Sequence, residues 1–246
     1  MIKLLKNEEP LTATEHRRRL KDRFKKGALE GFHDYEILEL LFLYAVPKKD
    51  VKHLARSVLK RFRGIRGVFD ATADELKSVE GVGENAAVLI KLVKDLTGVY
   101  LKERMMSRDV MRCTKDVLNY LNVTLSGERV EKFIAIYLNA RNEVLAVETL
   151  HEGTINQTAV YPRKAIEKAF KHNARSVIFV HNHPSGDATP SSVDKQLTRV
   201  LDRAALAVDL LVHDHLIIGK NKHFSARENG WIIGYPGAAP HKQASP

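Results

Sequence analysis

The chain has 246 residues, 44% of them hydrophobic, which is enough to bury the core of one large domain or two modest ones. Forty Lys and Arg against thirty Asp and Glu leave a net charge of +10, a balance compatible with nucleic-acid contact, with an acidic protein partner or with simple solubility. The single cysteine, Cys113, excludes an internal disulfide and a cysteine-built zinc site, no uncharged run reaches membrane-spanning length, and the charged start does not read as a signal peptide, so a reducing cytoplasm is the expected setting.

The first part reads as helical. Residues 14–26 predict a basic helix broken at Gly27, and residues 33–43 an apolar helix ending before Pro47. A third helix is predicted over 50–62, with Val51, Leu54, Val58, Leu59 and Phe62 as its core stripe. Lys52, Arg56, Lys60 and Arg63 recur on another face. Residues 73–87 predict helix, tight turn and helix around Gly81-Val82-Gly83, which resembles a helix-hairpin-helix element. Glycines there let backbone N–H groups approach a phosphate, and the following helix start adds partial positive charge. Gly81, Gly83, Lys52, Arg56 and Lys60 are therefore the candidate DNA contacts. Against this, Glu84 is unfavourable to phosphate, Lys91 lies a turn or more beyond, and a plain turn beside solvated basic faces explains the same residues. A polar run at 102–109, read as a linker or helix tail, closes a helical domain over 1–105.

The second part alternates. Strands are expected at 132–138 and 143–150, joined by a hairpin turn, then a helix over 162–172 with Ile166 and Phe170 inward. Residues 176–180 are apolar and mostly β-branched, as in a buried strand. Alternation along it points His181 and His183 one way and Asn182 the other. Pro184-Ser185-Gly186-Asp187 breaks the strand, with Thr189 as a helix N-cap and Pro190 at the first helical position. Val193, Leu197, Val200, Leu201 and Ala204 then face the core, while Ser191 and Asp194 share the helix's first turn. Two imidazoles and one carboxylate leave a tetrahedral position for water, the pattern of a catalytic zinc site. Zinc brings the pKa of bound water to about 7. A second pair, His213 and His215, shares a face by the same alternation, but no Ser-x-x-Asp follows, which favours a supporting role. His151, His172 and His223 stand as ordinary polar positions. The domain is expected over 106–234 and a disordered tail over 235–246.

The His-x-His, seven residues, Ser-x-x-Asp signature is carried by His181, His183, Ser191 and Asp194, inside a His-Asn-His-Pro-Ser-Gly run. On these residues the chain resembles the RadC family, and its second part is similar to a JAMM (MPN+) metalloprotease domain. The resemblance implies an α/β, cytidine-deaminase-like catalytic domain behind an all-helical one. It implies zinc held by His181, His183 and Asp194, and Ser191 near the zinc-bound water. It also implies an upstream glutamate as general acid/base: Glu148 is the best match, between apolar neighbours that would raise its pKa, and Glu152 the competitor. The implied activity is that of a zinc metallopeptidase or isopeptidase-like hydrolase with an unknown protein or peptide substrate, tethered to DNA and linked to DNA repair. The alternative is a DNA-binding accessory protein whose metal site is structural or vestigial.

Overall fold

A computed structural model describes residues 13–47, 50–106, 108–111, 114–125, 127–155, 160–220 and 222–233. The tail expected to be disordered lies outside them. The chain forms two compact units, residues 1–94 and 95–246. No described helix is long and apolar enough to cross a membrane.

The first unit is helical: α1 (Ala13–Gly27), α2 (Asp34–Ala45), α3 (Lys52–Phe62), α4 (Ile65–Asp70), α5 (Ala73–Lys77) and the start of α6 (Glu84–Met105). Its core joins Leu38, Phe42, Val58, Val68, Leu76 and Ile90. The predicted α3 stripe holds, with Val51 and Val58 buried and Leu54, Leu59 and Phe62 packed against them. A capping box starts α5, where Thr72 accepts from Glu75 N–H and Glu75 answers to Thr72 N–H. The unit divides from the next within α6, which itself ends at Met105, where the polar run had suggested a boundary.

The second unit is a three-layer α/β domain. Beyond α6 come α7 (Thr114–Leu125), β1 (Lys132–Leu138), β2 (Val144–Glu152), α8 (Pro162–Lys171), β3 (Ser176–Asn182), α9 (Ser192–Leu206), β4 (Leu211–Ile218) and β5 (His223–Ser225). The sheet order is β2-β1-β3-β4-β5, antiparallel except for the β3–β4 pair. The parallel pair is joined by α9, as a crossover requires. One face packs Phe133, Phe179, Leu197 and Leu201 with α8 and α9. The other packs Ile136, Ile178 and Leu216 with α7 and Met105. α7 had no counterpart among the predicted elements, although Val117, Leu121 and Leu125, all buried, carry a helical period.

Two helix faces differ from expectation. In α8 the buried residues are Ala165 and Ala169, and Phe170 is 60% exposed. In α9 Val193 and Val200 are exposed, while the polar Asp194, Thr198 and Asp202 are buried with Leu197 and Leu201. Hydrophobicity alone misorients α9 because its buried face is partly built for the site.

Candidate metal centre

β3 is buried along its whole length and ends where the chemistry begins. Asn182 on the strand bonds the chain entering β1: its Oδ1 accepts from Lys132 N–H at 2.8 Å, and its Nδ2 donates to the Val130 carbonyl. His183 N–H continues the β3–β4 pairing by donating to the Ile218 carbonyl. The turn that follows is pressed against Gly219. A Cβ at Gly219 would sit 2.5 Å from the Gly186 carbonyl oxygen and 2.8 Å from Ala188 N, so only glycine fits. Lys220 N–H donates to that same carbonyl at 2.7 Å.

Ser191 rather than Thr189 is the N-cap of α9, and Ser192 rather than Pro190 is its first residue. Thr189 instead bonds the Asp187 carboxylate, which prefers a local turn to helix initiation. Ser191 and Asp194 form a capping box: Ser191 Oγ accepts from Asp194 N–H, and Asp194 Oδ2 accepts from both the N–H and the hydroxyl of Ser191, each at 2.7 Å. The Ser191 hydroxyl, expected near a zinc-bound water, is thus committed to orienting Asp194.

The three expected ligands meet. Nε2 of His181 and Nε2 of His183 are 3.1 Å apart. Asp194 Oδ1 is 3.2 Å from the first, and Oδ2 is 3.5 Å from the second. The hydrogen bonds behind them assign the protons. His183 Nδ1 faces the Asp187 carbonyl at 2.7 Å, and a carbonyl can only accept, so Nδ1 carries the hydrogen and Nε2 a lone pair. For His181 the assignment runs through two further residues. The Thr198 hydroxyl donates to the Asp194 carbonyl at 2.7 Å, leaving its oxygen to accept from His215 Nδ1–H at 2.6 Å. His215 Nε2 then accepts from His181 Nδ1–H at 2.9 Å, and His181 Nε2 is a lone pair as well. Burial holds His215 well below the usual histidine range, with His181 adding to it, as a neutral relay requires.

Two imidazole lone pairs and a carboxylate converging at 3.1–3.5 Å repel one another unless a cation lies among them. In the absence of a cation, protons take its place: burial pushes the Asp194 carboxyl up, but hydrogen bonds from protonated His181 and His183 outweigh it and hold the group well below the carboxylate range. His183 is raised, chiefly by Asp194 against burial. Among the described residues, this is the one group of three that could hold a metal ion.

The upstream glutamate is a correction. Glu148 pairs across from Ala135, at the level of Phe179, not of the histidines. Its carboxylate bridges Lys168 and His172. Hydrogen bonds to those two overcome burial and bring its pKa down to about 2, the reverse of the rise expected from apolar neighbours. Glu152 is exposed, opposite Lys132. After Asp194, the other carboxylate whose charge contributes to raising His183 is Glu131, just before β1. Its Oε2 accepts from Ile155 N–H at 2.6 Å, and its carbonyl accepts from Gly153 N–H, so the chain leaving β2 holds it. Alternation places it on the face of Phe133, which pairs with His181. That parity was readable; the pairing that gives it meaning was not.

His213 and His215 do not share a face. Val177 pairs with Val212 but Ile178 with Asp214, so His213 is the extra residue of a β-bulge. His215 joins the triad, while His213 lies against Met111 and Arg227, its pKa brought to about 4 by burial and by Arg227. His172, taken as an ordinary polar residue, is the partner of Glu148 and packs on Tyr137.

Residues 111–231 match the family of RadC-like JAB domains. The UPF0758 protein FN0909 of Fusobacterium nucleatum is 37% identical over 224 residues, spanning 88% of this chain and 97% of the relative. The UPF0758 protein SPO0054 of Ruegeria pomeroyi is 37% identical over 223 residues, spanning 91% and 100%.

Proposed function

The chain belongs to the RadC family, and from that footing we propose that its second unit is a zinc-dependent hydrolase of the JAMM type with a metallopeptidase or isopeptidase-like activity. The observation that carries the reading is the convergence of two imidazole nitrogens 3.1 Å apart with the Asp194 carboxylate, whose Oδ1 is 3.2 Å from His181 Nε2 and whose Oδ2 is 3.5 Å from His183 Nε2. Bonds of 2.0–2.1 Å around a tetrahedral zinc give ligand–ligand edges of about 3.3 Å. Two imidazoles and one carboxylate suit zinc better than magnesium or calcium, which favour all-oxygen sets. When bound there, zinc would supply a water acidic enough to be deprotonated near neutral pH.

The remaining roles belong to side chains. Glu131 takes the proton from water and returns it to the leaving amine, the task first assigned to Glu148. Ser191 positions Asp194 through the capping box. Thr198 and His215 hold the His181 tautomer. A protein or peptide amide is the substrate class.

A second reading is favoured by the cationic helices of the first unit: a DNA-associated accessory protein, linked to repair, in which the same residues hold a structural ion. One experiment separates the two. Metal content is measured for the wild type, Asp194→Ala and Glu131→Gln, and the same samples are tested on peptide and isopeptide-linked substrates. The hydrolase reading expects one zinc per chain in the wild type and Glu131→Gln, under a tenth in Asp194→Ala, and cleavage only by the wild type. A zinc-free wild type overturns both readings, and cleavage undiminished in Glu131→Gln removes that residue's role. Zinc without cleavage favours the second reading.

A further inference from the structure

The cationic residues of the first unit are not evenly placed. From Val51 to Phe69 the chain has six Lys and Arg and no Asp or Glu. α3 buries Ala55 and Val58, and its opposite face presents Lys52, His53, Arg56 and Lys60. Arg63 ends the helix in the left-handed conformation, φ 59°, and is exposed. Arg66 is tied to Asp70. Among the described residues, no carboxylate comes within ion-pair distance of the charged groups of Lys52, Arg56, Lys60, Arg61 or Arg63 (Asp50 accepts from the Lys52 backbone N–H only), whereas Lys77, Lys94 and Arg23 all have one. Arg56 instead lies over the Tyr35 ring at 4.6 Å, with Lys52 at 6.0 Å from the same ring and His33 stacked against it. These contacts hold two of the cations in place without neutralising them.

The glycine turn expected to bind phosphate is less suited. It packs on α3, since a Cβ at Gly81 would meet Leu54 Cδ1 at 3.3 Å. Glu84 begins α6 there, and its carboxylate pairs with Lys77 at 3.1 Å. A carboxylate at the helix start already answers the helix dipole and repels a phosphate.

We infer that the exposed α3 face, Lys52, Arg56, Lys60 and Arg63, is a sequence-independent contact for the phosphodiester backbone of nucleic acid, and that the Gly81–Gly83 turn supports α3 rather than touching phosphate. The inference deepens the nucleic-acid reading above and is independent of hydrolysis. Four cations spread over about 16 Å of helix can meet successive phosphates of one strand. Two of the four are arginines, suited to bidentate phosphate contact. The apolar side of α3 is buried in the core, so the helix has none to insert into a lipid surface.

The full-length chain is titrated with fluorescent 30-nucleotide single-stranded and duplex DNA between 50 and 200 mM salt. Four phosphate contacts predict a log–log slope of about −3 to −4 on duplex, or about a 100-fold loss of affinity across that range. Lys60→Gln/Arg63→Gln should halve the slope, leaving about a 10-fold loss over the same salts. Gly83→Ala, where a Cβ meets nothing within 4 Å, should bind within about 3-fold of wild type. Circular dichroism confirms that each variant folds, and zinc content reports on the second unit independently. The inference is overturned if wild type shows no salt-dependent binding to either DNA, if the double variant keeps the full slope, or if Gly83→Ala alone abolishes binding. Binding to polyglutamate or anionic vesicles but not to DNA overturns it equally.

Discussion

Replacing Glu148 with Gln keeps the side chain's size and removes its charge, and this one change separates a catalytic carboxylate from a structural one. In the fold Glu148 bridges Lys168 and His172, joining β2 to α8 and its C-cap. Those hydrogen bonds bring its pKa from 4.5 to about 2. Undamped, that fall is worth about 3 kcal/mol of folding stability. The side chain is 25% exposed, so solvent screening reduces the expected contribution to about 1 kcal/mol. The sign follows from the depressed folded value: the contribution is complete above about pH 4.5 and is lost as pH falls toward 2. Glu148→Gln should therefore melt about 2–5 °C below wild type at pH 7. The gap should narrow progressively below pH 4.5. Zinc content should stay at wild-type level and so should any hydrolysis. The assays are thermal melts at pH 7, 5, 4 and 3 with metal analysis of the same preparations. Loss of hydrolysis at unchanged melting temperature would refute the reasoning and return the acid/base role to Glu148.

His215→Ala, which leaves the His181 Nδ1–H without its acceptor, should weaken zinc binding about 10–100-fold in a competitive chelator titration. Thr198→Val should move affinity the same way by a smaller factor, because the relay's far end is lost while His215 remains. Gly219→Ala forces a methyl group to within 2.5 Å of the Gly186 carbonyl oxygen, so the turn that carries the Asp187 carbonyl bonded to His183 must shift. The expected cost is about 1–3 kcal/mol in denaturant unfolding, accompanied by weaker zinc binding; a variant matching wild type in both would contradict the packing described.

The similarity of this chain to RadC-like JAB domains covers the second unit, and the two UPF0758 relatives extend it over most of the chain. Within that family resemblance, the residues of the first unit from Lys52 to Arg63 are a property of this sequence's charge pattern rather than of the metal centre. The two units therefore pose separable questions, one of coordination chemistry and one of polyelectrolyte binding.

The group that could hold a metal was legible because its geometry is local. Alternation along β3 sets His181, the chain just beyond it brings His183, and the Ser191–Asp194 pair is a capping box written within four residues. The same locality made the α3 stripe and β1 readable. The rest depended on partners distant in sequence. Glu131 and Glu148 have similar local settings, each an acidic residue directly after a valine, on a strand or at its edge. Only the register of β1 against β2 and β3 decides that the first reaches His183 and the second reaches Lys168. His213 and His215 obey one alternation rule until a single bulge, imposed by pairing with β3, sends them to opposite faces. Side-chain direction within a strand is set by covalent geometry and so belongs to the sequence. Which carboxylate stands opposite which imidazole is set by strand pairing across 50 residues, and that only the folded sheet decides.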